Sequence, residues 1–187
     1  MISISERLLG GMIREGIISA EDREIYLFGI KEIFSQVFTY LVMLAIGAAF
    51  GMVTEIIVFV VIYMSLRVYA GGYHAPTQFR CYILSFGMVI AALMLVRWMY
   101  VPEAAAVAGI ILMGGIIYFM APSEHRNKPL SQSEKGIYKK KAGKRVIICI
   151  LLSLGAAVAG MGNTLNTIGI AMLFLVIMMI CNRQKVS

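Results

Sequence analysis

The chain has 187 residues, 17 Lys and Arg against 10 Asp and Glu, and 60% hydrophobic side chains. Counting Gly in and Tyr out, about 65% of it is apolar, where soluble domains hold ~45–50%. A water-soluble domain of this length cannot hide so much apolar side chain, because its surface needs polar cover. A soluble globular enzyme, a disordered chain and a disulfide scaffold are therefore excluded. What remains is an all-α fold: a polytopic membrane helical bundle of about six transmembrane helices, read as one domain over residues 1–187.

Residues 1–24 differ from the rest. Ile4, Leu8, Leu9, Met12 and Ile13 share one helical face, with Glu6, Arg7, Arg14 and Glu15 elsewhere. This predicts an amphipathic helix lying on the membrane surface, weakened by Gly10–Gly11. No signal-peptide pattern is visible there. Ser19 followed by Asp22 resembles a helix start, so the first span is expected to begin as a helix near residue 20. Six apolar runs follow: Ile33–Val53, Ile56–Leu66 (extendable to Ala70), Cys81–Val96, Ala104–Met120, Val146–Met161 and Leu165–Cys181. The second is the weakest, since Glu55 and Arg67 bracket only 11 residues. Arg67 snorkelling to the interface would complete it; a re-entrant segment is the alternative. Two stretches outside the spans stand out, the 67–81 loop and the basic 121–145 loop with its two prolines and eight cations.

Charge placement tests this layout. The N-terminal segment, the 67–80 and 121–145 loops and the C-terminus together hold 15 Lys and Arg; the alternate side holds Arg97. The positive-inside rule then puts both termini and both loops in the cytoplasm. The formal charge of +7 is thus a topology signal and a match for an anionic inner leaflet, not a nucleic-acid signature.

Most catalytic spacings are absent. There is no HExxH, no G-x-S-x-G and no Walker loop. Asp22 is the only Asp and His74 and His125 are the only histidines, so neither an aspartyl dyad nor a His-rich metal site can be built, and no metal or other cofactor is expected. The remaining segment is RVYAGGYHAPTQFRC, Arg67 to Cys81. A thiol nucleophile must ionise, and an imidazole can take its proton and stabilise the thiolate. His74 and Cys81 are seven residues apart, ~10.5 Å along one continuous helix and too far for a hydrogen bond. Pro76 disfavours helix at Ala75, and a turn there could fold His74 back over Cys81. A Cys at a helix N-terminus is further favoured as thiolate by the backbone dipole. Gly71–Gly72 could offer backbone N–H groups as an oxyanion hole. The bland alternative is a small apolar Cys at a span edge and an interfacial His. Cys149 and Cys181 lie in apolar runs and are read as structural, with no disulfide expected.

At this segment the chain resembles the accessory gene regulator B (AgrB) family of Gram-positive quorum-sensing systems. The resemblance covers most of the chain and rests on length, hydropathy pattern, and the arrangement of Arg67, Gly71, Gly72, His74, Ala75 and Cys81. The basic stretch with Asn127, Lys128, Pro129 and Leu130 followed by Lys139–Lys141 adds to it. The resemblance implies a multi-pass cell-membrane cysteine endopeptidase. Such a protein trims the C-terminal tail of an AgrD-type precursor peptide, which is then cyclised to a thiolactone or lactone pheromone. It implies Cys81 as nucleophile and His74 as general base and acid, with Arg67, Gly71, Gly72, Lys139, Lys140 and Lys141 as supporting or substrate-binding residues, and a homodimer. The competing class is a non-enzymatic peptide exporter subunit or scaffold, with Ser35, Gln36 and Thr39 of the first span lining a path.

Overall fold

The computed structural model describes residues 4–19, 21–73, 77–123 and 130–186. All regular elements among them are helices: α1 (Ile4–Arg14), α2 (Arg23–Ala49), α3 (Val53–Ala70), α4 (Gln78–Trp98), α5 (Glu103–Met120), α6 (Gln132–Val158) and α7 (Gly162–Val186). The chain forms two compact units, Met1–Met43 and Leu44–Ser187.

The first unit holds α1 and most of α2. The expected surface helix is α1, which ends at Arg14 before Gly16 turns the chain with φ +70°. The Glu21 N–H then bonds the Ser19 hydroxyl at 3.2 Å, and α2 starts at Arg23. The expected span Ile33–Val53 is therefore displaced: helix-compatible Arg23–Glu32 extend it towards the N-terminus, and Gly51 at φ +67° ends it early. Polar groups within α2 are spent locally. The Thr39 hydroxyl donates to the Ser35 carbonyl at 2.8 Å and Gln36 donates to Glu32 at 3.5 Å. Ile33, Val37 and Leu41 are exposed along α2, as lipid-facing residues of a membrane helix would be.

In the second unit α7 is the hub. It packs on α3, α4, α5 and α6 and buries the largest share of its side chains. Close approach comes from glycines, as expected where helices pack in lipid. A Cβ on Gly114 would meet Val146 Cγ1 at 2.8 Å, and one on Gly143 would meet the Tyr118 ring at 3.1 Å. Buried hydroxyls bond back to their own helices: Ser153 to the Ile150 carbonyl and Thr167 to the Asn163 carbonyl, both at 2.7 Å. Among the described residues no buried side-chain N or O lacks a partner.

Five of the described helices, α2, α3, α4, α5 and α7, are long and apolar enough to cross a membrane. The chain is thus a polytopic helical membrane bundle. The weak second segment is a full 18-residue helix, α3, that runs on to Ala70. The fifth expected span, Val146–Met161, is instead the C-terminal half of α6, with 13 uncharged residues from Val146 to Val158. It still lies in the bundle, against α3, α5 and α7. The two ends of the bundle separate as the charge pattern requires. At one end Asn163 donates to Glu55 at 3.4 Å and Arg97 donates to the Phe50 carbonyl at 3.3 Å. At the other meet the C-terminal ends of α3, α5 and α7.

The basic stretch needs a correction. Residues 132–145 are not loop but the first half of α6. Ser131 and Glu134 form a capping box, with the Ser131 N–H on Glu134 at 2.8 Å and the Glu134 N–H on the Ser131 hydroxyl at 3.3 Å. The Lys-rich run that follows propagates the helix well. The 67–81 segment is likewise helical at both ends, to Ala70 and from Gln78.

The glycine contacts yield a matched test. Gly114→Ala should lower thermal stability in detergent by ~1–3 kcal/mol through overpacking against Val146. Gly109→Ala, on the same helix with nothing within 4 Å, should be neutral or stabilising by up to ~1 kcal/mol. Equal midpoints for the two variants would contradict this packing.

Candidate active site at the cationic end of the bundle

The site is built where α3 stops. Arg67, in the last turn, is partly buried and held on two sides. Its Nη1 donates to the Tyr63 hydroxyl at 2.8 Å and its Nη2 donates to the Tyr73 carbonyl. The guanidinium carbon also lies 5.6 Å from the Tyr63 ring centre. Tyr63 itself is 3% exposed. It stacks on Phe59 with ring centres 5.7 Å apart, and Phe59 meets Phe174 of α7 edge-on at 6.2 Å.

The glycine pair turns the chain around this buckle. Gly71 has φ +80° and Gly72 φ +148°, conformations that disfavour any side chain. A Cβ on Gly72 would press on Arg67 Nη1 at 3.0 Å; one on Gly71 would collide with the Ser123 carbonyl. The backbone here is tied to two other elements. The Ser123 N–H donates to the Ala70 carbonyl at 2.8 Å, and the Tyr73 N–H donates to the Met178 carbonyl at 3.0 Å. Asn182 of α7, 3% exposed, donates to the Ser123 hydroxyl at 2.8 Å. Gly71 and Ser123 form a parallel bridge. The oxyanion-hole expectation is corrected in part. The Gly71 N–H caps α3 by donating to the Arg67 carbonyl at 2.9 Å, and the Tyr73 N–H is used as above, so neither faces a substrate.

Of the expected dyad, His74 lies outside the described residues. Cys81 is half-buried in the first turn of α4, with its N–H on the Thr77 carbonyl at 3.1 Å. Thr77 caps that helix through the Arg80 N–H at 3.4 Å. Cys149 is buried and Cys181 exposed, and all three thiols are free. Among the described residues no cluster of three His, Cys, Asp or Glu could hold a metal ion.

The three lysines do not form one patch, because alternate residues on a helix point roughly opposite ways. Lys139 lies over the Tyr118 ring at 5.3 Å, on the α5 side. Lys141 lies over the Tyr69 ring at 5.4 Å, on the α3 side, and Arg145 joins it over the same ring at 5.6 Å. Tyr138 meets Tyr69 edge-on at 6.2 Å. Arg145 and Tyr63 escaped the sequence reading. The signal for Arg145 was its spacing of four from Lys141; nothing marked Tyr63 in an apolar run.

Comparison with known proteins places the chain. The family model for accessory gene regulator B matches residues 5–181. The chain belongs to the AgrB family. It is also 30% identical over 123 residues to Protein FsrB of Enterococcus faecalis, an alignment covering 65% of this chain and 51% of that protein. The chain thus spans about half the length of the curated relative it matches. No solved structure matches.

The clasp between Gly71 and Ser123 makes a local prediction. Gly71→Ala should speed hydrogen exchange at the Ser123 N–H and cost ~1–3 kcal/mol, from backbone strain and collision together. Protection at Ser123 equal to that of the unsubstituted protein would refute the clasp.

Proposed function

We propose that this protein is a membrane cysteine endopeptidase of quorum-sensing peptide maturation, with Cys81 as nucleophile and His74 as its general base and acid. Membership of the AgrB family is the observation that carries this reading. The local fold supports it: Cys81 lies in the first turn of α4, and the buckled segment Gly71–Tyr73 leads directly into His74.

The Cys81 thiolate attacks the scissile carbonyl of an AgrD-type precursor peptide. The peptide C–N bond then breaks, and the His74 imidazolium gives its proton to the leaving amine. The tail departs and the peptide is held as a thioester on Cys81. A Cys or Ser of that peptide attacks the thioester carbonyl, yields its proton to His74, and closes the ring as Cys81 leaves as thiolate. One acyl bond is exchanged for another, so no ATP is consumed. Hydrolysis competes with ring closure, which favours a site set into the membrane surface, where little water reaches the thioester. This end of the bundle faces the cytoplasm and its anionic inner leaflet, in keeping with the cation distribution. Lys141 and Arg145, over Tyr69, receive an acidic precursor tail on the side next to the Gly71 turn, with Lys139 on the far side over Tyr118 and Lys140 exposed between them.

Two sets of variants test this. Cys81→Ser should bind precursor yet give no covalent adduct and no shortened peptide by mass spectrometry; full processing would sink the nucleophile assignment. His74→Ala should lose ~10²-fold or more of the cleavage rate at neutral pH. Replacing Lys141 and Arg145 together by Gln should weaken precursor binding several-fold at low salt and little at high salt. Equal affinity at both salts would remove the docking role.

A further inference from the structure

We infer that Tyr63, buried inside the membrane helix α3, is a positioning residue for the reaction, acting through Arg67 on the backbone that carries His74. The inference rests on the dyad reading above.

A guanidinium in the last turn of a membrane helix needs acceptors, since it stays charged and is partly shielded from water. Among the described residues the side chain that accepts from it is the Tyr63 hydroxyl at 2.8 Å. That leaves the other arm of the planar fork aimed at the Tyr73 carbonyl, the peptide group that joins Tyr73 to His74. Gly72 lies close to the same guanidinium, where a Cβ would come to 3.0 Å of Nη1. The hydroxyl therefore sets the rotation of the fork, and the fork sets the peptide plane at residue 73. Nothing softens this chain of contacts from below, because the Tyr63 ring is stacked on Phe59 at an interplanar angle of 6° and Phe59 abuts Phe174. The Tyr73 N–H is fixed independently by the Met178 carbonyl at 3.0 Å. The peptide groups on both sides of Tyr73 are thus anchored, one to α7 and one through Arg67 to Tyr63. Phe at position 63 would keep the stack and lose the acceptor. Arg67 would then be free to leave the Tyr73 carbonyl for solvent or lipid phosphate, and a displacement of about 1 Å at a catalytic group can cost ~10²-fold in rate.

The experiment compares unsubstituted protein, Tyr63→Phe, Arg67→Lys and the double variant in detergent or vesicles, reading kcat and KM for precursor cleavage. Tyr63→Phe should lower kcat ~10–100-fold with KM within ~2-fold, since binding of the peptide is untouched. The double variant should be no slower than Arg67→Lys, because both substitutions break one linkage. Alkylation of Cys81 by a small thiol reagent, read per cysteine by mass spectrometry against Cys181, gives an independent measure. Its rate advantage should fall in Tyr63→Phe. Unchanged kcat in Tyr63→Phe, or losses that multiply in the double variant, would overturn the proposal. Should Tyr63→Phe fail to yield monodisperse protein, Tyr63→Leu, which likewise removes the acceptor, is read in its place against Arg67→Lys under the same criteria. Failure of the underlying dyad looks different: Cys81→Ser would then process precursor, whatever residue stands at position 63.

Discussion

A single charge at the end of a membrane helix organises this protein's cationic end. Among the described residues the partners of Arg67 are a phenol and a backbone carbonyl. Both are neutral acceptors, and the planar fork of the guanidinium fixes their arrangement around it. Everything nearby follows from that fit. The chain must leave α3 tightly enough to bring residue 73 back under residue 67, which requires the two positive-φ glycines in sequence. It must also find partners for the backbone groups this turn releases from the helix, because lipid supplies none. The Ala70 carbonyl finds the Ser123 N–H, and the Tyr73 N–H finds the Met178 carbonyl. In this way three helix ends close on one another, and a loop that would be costly in a bilayer becomes a protein-lined one.

The same contacts explain why the segment from 121 to 123 belongs to the site although it carries none of the proposed chemistry. Ser123 is bound from both sides, by the backbone of α3 and by Asn182. Asn182 is a buried amide near the end of α7, and its cost of desolvation is offset by that bond. The hub helix thereby fixes the exit of α5 and the exit of α3 together. A rigid scaffold with a short irregular segment at its rim is the arrangement in which a reactive group can be held in place without being sealed off from substrate.

Much of this was legible from the chain, and the reasons for what was not are specific. The bundle, the N-terminal helix and the uneven spread of cations along the chain follow from apolar run length and charge placement, both of which act locally. Arg67, Gly71, Gly72 and Cys81 stood out because each is unusual for its position. Tyr63 did not, since a Tyr among Ile, Phe and Met reads as one more apolar residue until its hydroxyl is seen on Arg67. The extent of α6 was misread for a different reason. Lys-rich sequence suits a solvated loop and an exposed helix alike, and the decision rested on Ser131 and Glu134, a capping pair whose spacing of three was present but unweighed. The oxyanion expectation failed in part because a glycine that ends a helix spends its N–H on the cap.

The helical state of residues 132–145 changes what their charge can do. On a flexible loop Lys139, Lys140 and Lys141 could all converge on one ligand. On α6 they cannot, since successive residues are turned by ~100°, and Tyr118 and Tyr69 hold Lys139 and Lys141 on opposite flanks. The effective cationic surface facing the end of α3 is therefore Lys141 with Arg145, one turn apart and both against the Tyr69 ring. Contact with one ring narrows the positions that the two cations sample, while both stay exposed. Ordering them in advance lowers the entropy lost when an anion binds. The pair on Tyr69 is thus better prepared for an anion than the tri-lysine run as a whole.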